Sequence, residues 1–399
     1  MRVLFLGLKE WPANQGTTRA GGTGTYCDVL IEGLGQNVEC VLVTQESMTK
    51  YPFESSGNLE IHRVRTIQNR IYKIMVGNLL CAVKAYFILK KQPVHIINAH
   101  TAWASLYAHF LAKVMAVPLV VTPQGDPYGY LGYTAKQFVP YVFVRILGMI
   151  STLVFPRAAA VVVSSPEEET RLREHTGANF KNICIIETGM RLPNIALCKN
   201  FDKRKLQILN VGRLTASKAV NLLLMGLSLL DKKLLDRIHV NIVGSGEDEE
   251  KLRQLCSSHE LNEYVTFHGF IEHAAIGTFY QDADIFLFPS FMEGFSLALL
   301  EAMSYGLACV VNDYGLPFDQ NEILLMGNNN PETIANALEK LIATPELIPE
   351  YGRRARETIE TKYSQTIFAR KYIDLYKEKI KHADADSVHL IEEVVSQTV

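Results

Sequence analysis

Three observations predict an α/β protein of two doubly wound, Rossmann-like domains facing each other across a cleft. Short apolar runs alternate with helical stretches through the first half of the chain, and the alternation restarts after a polar linker. The 399 residues, 48% of them hydrophobic, suffice for two cores. Strands buried on both faces read as unbroken apolar runs, and such runs separated by helices mark a parallel sheet.

The elements follow in order. "RVLFLG" is the first strand, "TGTYCDVLIEGLG" the first helix, and "VECVLVT", "VHIINA", "PLVVTP" and "AAAVVVSS" are further strands, with "ICIIETG" closing the unit. "RLPNIALCKNFDKRK" reads as the linker. Then come the strand "LQILNVGRL", a helix over 217–230, the strand "HVNIVGSGE" and a helix over 247–259. "YVTFHGF", "ADIFLFPS" and "LACVVND" complete the second set of strands, and "YSQTIFARKYIDLYKEKI" is a basic amphipathic helix. The expected domains are two Rossmann-like units, 1–198 and 199–362. A helix over 363–381 packs back towards the first domain, and the tail 382–399 lacks a clear packing face.

Composition narrows the function. A net charge of −2 argues against a dedicated nucleic-acid binder. Seven scattered cysteines with no CxxC pair read as reduced thiols of a cytoplasmic protein. "MRVLFLGLKEWP" has too short an apolar part for a signal peptide, and no stretch reaches the roughly 20 apolar residues of a membrane span. The nearest, "FVPYVFVRILGMISTLVFP", is interrupted by Arg145 and reads as a buried or interfacial helix. Charge is uneven: residues 50–157 carry 12 Lys/Arg against 3 Asp/Glu, with no acid between Glu60 and Asp126. Arg70, Lys73, Lys84 and Lys91 fall on one helical stripe, which predicts reversible association of the first domain with an anionic membrane at the inner face. The competing reading is a core-packed helix with a solvated basic edge.

The chemistry concentrates in "FPSFMEGFSLALLEAM". A buried strand closed by Pro289 gives way to a helix starting near Ser296 and ending at Gly306. Glu293 thus lies in the connecting loop and Glu301 inside the helix, with the amides of Phe295 to Leu297 between them. Helix N-termini bind phosphate. Carboxylates beside such a site cannot hold that anion, so the ligand is expected to be part phosphate and part polyhydroxyl. "LNVGRLTASK" sets Gly212 and Arg213 at a strand end and Lys218 at a helix start; fork and point charge together suit a diphosphate, against a bland reading of two surface cations. "GSG" at Gly244–Gly246 lacks the third glycine of a dinucleotide fingerprint and reads as a tight turn lining a nucleotide pocket. Gly21–Gly24 lets backbone approach a ligand, or is a solvent loop. Asp282 and Asp284 straddle a helix end and a strand start and read as structural, and the eleven histidines show no metal-ligand spacing.

The stretch from "VTFHGF" to "CVVND" resembles the signature region of group 1 (family 4) retaining glycosyltransferases of the GT-B fold. Glu293 and Glu301 match the family's E-x7-E motif, "GRLTASK" its GR…K segment and Gly21–Gly22 its first glycine loop. "VVVSSPEEETRL" and "IIETGM" are similar to the ends of its first domain. The resemblance implies transfer of a sugar from a nucleotide-sugar substrate to a glycan or lipid-linked acceptor, with no cofactor and no metal, in polysaccharide assembly at the cell envelope. It implies Glu301 on the donor ribose and Glu293 on the transferred sugar. Arg213, Lys218 and the amides of Gly294, Phe295, Ser296 and Leu297 fall on the diphosphate, and Gly22, Gly212 and Gly244 line the donor. His100, Gln124 and Asp126 are the acceptor-side candidates.

Three departures stand out. Gln124 occupies a place where many relatives carry histidine, Ala219 follows Lys218 in place of glycine, and "YGLPFDQN" replaces a glycine pair after "VVND". That last loop usually touches the donor, so the donor sugar stays open. Two alternatives are a sugar-nucleotide epimerase on the same fold and a non-catalytic nucleotide-binding partner of a true transferase; the intact E-x7-E and Arg/Lys pair weigh against the second.

Overall fold

The computed structural model describes residues 1–8, 22–46, 53–66, 72–123, 138–176, 181–194, 205–291, 295–313 and 316–398. The chain forms two compact units, Met1–Thr188 with Thr366–Val399, and Gly189–Gln365.

The first unit is built on an eight-stranded sheet. Its strands are β1 (Arg2–Leu6), β2 (Glu39–Glu46), β3 (Phe53–Ser56), β4 (Leu59–Arg65), β5 (Ile96–His100), β6 (Leu119–Thr122), β7 (Ala160–Val163) and β8 (Ile183–Ile185). They lie in the order β3-β4-β2-β1-β5-β6-β7-β8, parallel except for the β3–β4 pair. β1, β5, β6 and β7 are buried at every position, which is why their sequences run apolar without alternation. One face of the sheet carries α1 (Gly22–Leu34). The other carries α2 (Asn78–Lys91), α3 (Ala102–Met115), α4 (Phe138–Val154) and α5 (Pro166–Thr176), whose inward residues share a core with Leu4, Val43, Ile97 and Val121.

Ahead of α2 the residues Lys73–Gly77 wind at π pitch. An i→i+5 turn breaks the α register ahead of α2; the Lys73 side chain and Arg70 lie outside the described residues. The apolar segment around Arg145 is α4, and it is buried on one side only: Ile150 and Val154 are covered while Met149 and Leu153 face outward. Among the described residues no helix is long and apolar enough to cross a membrane.

The second unit has a six-stranded, wholly parallel sheet in the order β11-β10-β9-β12-β13-β14. These are β9 (Leu206–Val211), β10 (Ile238–Val243), β11 (Val265–Gly269), β12 (Ile285–Phe288), β13 (Ala308–Asn312) and β14 (Leu324–Met326). α6 (Val220–Ser228), α8 (Glu249–Ser258) and α11 (Pro331–Ala343) cover one face, and the short α7 (Lys232–Leu235) precedes β10. α9 (His273–Asp282), α10 (Leu297–Ser304) and α12 (Leu347–Lys362) cover the other. The helix expected over 217–230 is two pieces, a 3-10 turn at Ala216–Lys218 and then α6, because Ala219 between them sits in the left-handed region at φ 51°.

Met190 belongs to the second unit: its N–H donates to the Tyr363 carbonyl, and the Gln365 N–H donates to the Met190 carbonyl. α13 (Gln365–Thr398) then returns to the first unit, where Phe368, Tyr372 and Tyr376 enter the core against Phe5, Tyr26 and Leu30. The segment read as a tail, 382–399, is helical through Thr398.

Candidate active site

In an open parallel sheet, loops leaving the strand ends on either side of the point where strand order reverses diverge and leave a crevice there. In the second unit that point lies between β9 and β12. β9 runs into Gly212 and Arg213, and β12 into Pro289, Ser290 and Phe291. Arg213 is exposed and, among the described residues, has no carboxylate partner.

Lys218 closes the 3-10 turn, and its ammonium lies 5.2 Å from the centre of the Phe288 ring. The turn is tied to the loop after β12. The Ser290 hydroxyl donates to the Ser217 carbonyl at 3.2 Å, and the Phe291 N–H donates to the same oxygen at 3.0 Å. Asn312 donates to the Ser290 carbonyl at 3.0 Å and Asn329 to that of Pro289. The Lys218 turn and the start of the E-x7-E loop are therefore one hydrogen-bonded piece.

The Gly244–Gly246 turn has a packing reason. A Cβ on Gly244 would fall 1.8 Å from the Gly212 carbonyl oxygen, and one on Gly246 2.1 Å from that of Leu214. The close approach lets Gly212 and Leu214 donate to Val243 and Ser245 at 3.0 and 3.1 Å, which holds the segment bearing Arg213 straight.

Glu293 and Gly294 lie outside the described residues. Ser296 is the N-cap of α10 and makes no side-chain cap, so the first-turn amides are left for another acceptor. The Phe295 ring is taken up elsewhere, with ring centres 5.8 Å from Phe318 and 5.3 Å from Tyr363. Leu297, the first residue of α10, is partly buried against the core.

Glu301 is the fifth residue of α10, and the Tyr280 hydroxyl donates to its Oε2 at 2.8 Å. Burial pushes the Glu301 carboxyl up to about 7, and the Tyr280 bond only partly offsets this. Tyr280 escaped the sequence reading. Its hydroxyl meets Glu301 across two helices 21 residues apart, and nothing local distinguishes it from an ordinary core aromatic.

Asp284 is structural: its Oδ2 accepts from the Gln207 N–H at 2.9 Å while its own N–H donates to the Gln207 carbonyl at 2.8 Å. Among the described residues no group of three or more His, Cys, Asp or Glu could hold a metal ion.

In the first unit strand order reverses between β1 and β5. Gly7 follows β1 at φ 92°, and a Cβ there would strike the His100 carbonyl oxygen at 1.8 Å. His100, expected on the acceptor side, is instead fully buried, stacked on Phe5, with Nδ1 3.6 Å from the Cys27 sulfur. Burial lowers its pKa to about 3, so the ring is neutral and has no face open to an acceptor. The next residue, Thr101, adopts φ 90° and caps α3 by accepting from the Ala104 N–H, a strained geometry for a β-branched residue at a ligand-facing strand end. Gly22 opens α1; Gly21, Gln124 and Asp126 lie outside the described residues.

The fold is similar to that of sucrose-phosphate synthase from Thermosynechococcus elongatus, with a TM-score of 0.78 at 20% identity over 94% of this chain and 98% of that one. It is also similar to Anabaena HepE in complex with UDP-glucose, with a TM-score of 0.68 at 15% identity over 95% of this chain and 100% of the other. Two such sheets define the GT-B class of glycosyltransferases. Residues 198–358 match the family model for glycosyl transferases group 1, and residues 20–192 that for glycosyltransferase family 4. A D-inositol 3-phosphate glycosyltransferase of Arthrobacter sp. (strain FB24) is 26% identical over 382 residues, 89% of this chain and 90% of the relative. The chain belongs to the group 1 glycosyltransferases.

Proposed function

We propose that the chain moves a sugar from a nucleotide-sugar donor, held at the β9–β12 crevice, to a glycan or lipid-linked acceptor with retention of anomeric configuration. The observation that carries this reading is the double hydrogen bond onto the Ser217 carbonyl, which makes one unit of the Lys218 turn and the loop leading to Glu293 and Glu301. HepE is solved with UDP and with UDP-glucose, which supports a nucleotide-sugar donor for this fold.

In this reading Arg213, Lys218 and the α10 first-turn amides take the diphosphate, Glu301 the ribose hydroxyls and Glu293 the transferred sugar. The bond between the anomeric carbon and the phosphate oxygen breaks with its electron pair going to that oxygen. The same oxygen takes the proton of the incoming acceptor hydroxyl, and the new glycosidic bond forms on the face just vacated. Fixed cations and amides stabilise the charge that gathers on the leaving group. No side-chain base is required, which fits glutamine at position 124 and a buried, neutral His100. Gln124 then positions the acceptor, and the chemistry is metal-independent and survives a chelator. The place of action is the cytoplasm, at the inner membrane face, in polysaccharide assembly at the cell envelope.

Thermal shift against UDP-, GDP- and ADP-sugars tests the donor, since only a ligand of the folded state raises stability by mass action. NMR of the product tests retention, and an inverted anomeric centre would overturn it.

A further inference from the structure

The outward side of the α2–α3–α4 layer is unlike the rest of the first unit. Large apolar side chains stand in water there: Val83 and Phe87 on α2 at 46% and 60% exposed, Phe110 and Val114 on α3 at 62% and 67%, Met149 and Leu153 on α4 at 64% and 55%. Their inward neighbours Ala85, Leu89, Ala108, Leu111, Ile150 and Val154 are all buried in the sheet-facing core, so the exposed set is a second apolar surface rather than a displaced core. The helices lie side by side, with α3 between α2 and α4. Single exposed apolar residues are ordinary, but three adjacent helices doing the same thing mark an interaction surface.

Charge says what covers it. Lys84, Lys90 and Lys91 on α2, Lys113 on α3, Arg145 on α4 and Arg157 just beyond are exposed, and α2, α3 and α4 carry no Asp or Glu at all. Among the described residues none of these six cations has a carboxylate partner; Arg157 donates only to its own helix, at the Leu153 carbonyl. A second copy of this chain would bring the same unpaired cations face to face across a two-fold axis, which is repulsive. An anionic lipid leaflet offers phosphates to the cations and acyl chains to the apolar residues.

We infer that the outward face of α2, α3 and α4 seats the enzyme on an anionic bilayer, with Phe87, Phe110 and Met149 entering the acyl boundary and Lys84, Lys113 and Arg145 on the headgroups. The attachment is mixed. Salt weakens the headgroup part by screening and leaves the apolar part in place. This deepens the lipid-linked-acceptor reading above and gives that reading its surface. The test uses neither donor nor acceptor, so the two fail separately.

The full chain is floated with phosphatidylcholine vesicles, with and without about 30 mol% phosphatidylglycerol, at low salt and at about 0.5 M salt. The expected result is strong partition onto the anionic vesicles at low salt and a residual, reduced partition at high salt. F87S/F110S/M149S should lose the salt-resistant part, by roughly tenfold or more, and K84E/K113E/R145E should lose the low-salt part. All six positions are solvent-exposed, and unchanged melting curves establish that the variants are folded. Absence of binding to either vesicle at low salt overturns the inference, and so does binding that neither triple variant alters. A chain that sediments as a dimer, and as a monomer after F87S/F110S/M149S, overturns it in favour of a second copy.

Discussion

Glu301 is a carboxyl that accepts from the Tyr280 hydroxyl and is raised by burial. Its pKa is raised from 4.5 to about 7, so between those values the folded chain binds a proton that the unfolded chain has lost. Its cost is absent below about 4.5, builds as the pH rises from there to about 7, and is constant above. Glu301→Gln keeps an acceptor for Tyr280 and removes the buried charge. The variant should match wild type near pH 5 and exceed it at pH 8 by roughly 2–3 kcal/mol, measured by urea unfolding at both values. Glu301→Ala should lower nucleotide affinity about tenfold to a hundredfold in calorimetry, since a hydrogen bond to a charged group contributes roughly 1.5–3 kcal/mol. A residue that weakens the empty protein and strengthens the loaded one is serving the ligand. Ala219 carries strain of another kind. Left-handed backbone costs an alanine roughly 1–2 kcal/mol, and the extra freedom of unfolded glycine offsets about half of it. Ala219→Gly should therefore raise the melting temperature slightly while leaving the Lys218 turn in place.

At the scale of elements, the loops after β9 and β12 carry the proposed donor site. If the proposed diphosphate site holds, Arg213→Ala and Lys218→Ala should each reduce turnover far more than stability, because cations there would act on charge that develops only as the bond breaks. Arg213 is exposed and its loss should cost within about 0.5 kcal/mol in unfolding, so a kinetic defect there is not a folding defect. Much of this region was legible in sequence. A strand end with Gly212 and Arg213, a Pro289-terminated strand and an E-x7-E spacing are local patterns, and local patterns survive in one dimension. What escaped depends on pairing between distant segments. The bond between Tyr280 and Glu301, the tether onto Ser217, and the aromatic pair that engages Phe295 join residues whose order in the chain says nothing of their meeting. The enclosure of His100 is invisible in sequence for the same reason: it ends a strand, yet packing under α1 and against Phe5 buries it. The outward apolar faces of α2, α3 and α4 also required the fold, since only the sheet says which side of each helix is inside.

At the scale of the molecule, the first unit is completed by α13. The Tyr26 and Tyr372 hydroxyls meet at 2.7 Å, Tyr372 reaches Thr122 at 3.1 Å, Thr122 donates to Asn98 at 3.2 Å, and Asn98 donates to Tyr376 at 2.6 Å. All of these side chains are buried, so each bond broken leaves polar atoms without water. Tyr372→Phe should destabilise the unit by about 1–3 kcal/mol in urea unfolding, with little change in nucleotide affinity, because the proposed donor site lies in the other unit. The discontinuity also sets an order of assembly on the ribosome. The second unit is one unbroken stretch, Gly189–Gln365, whereas the first needs Met1–Thr188 together with a helix translated after the whole of the second. Nascent chains usually settle their leading domain first. Here the segment that emerges first must wait, with Tyr26, Asn98 and Thr122 lacking the tyrosine hydroxyls they bond in the finished unit, until α13 has cleared the exit tunnel. The half made last is the half finished first.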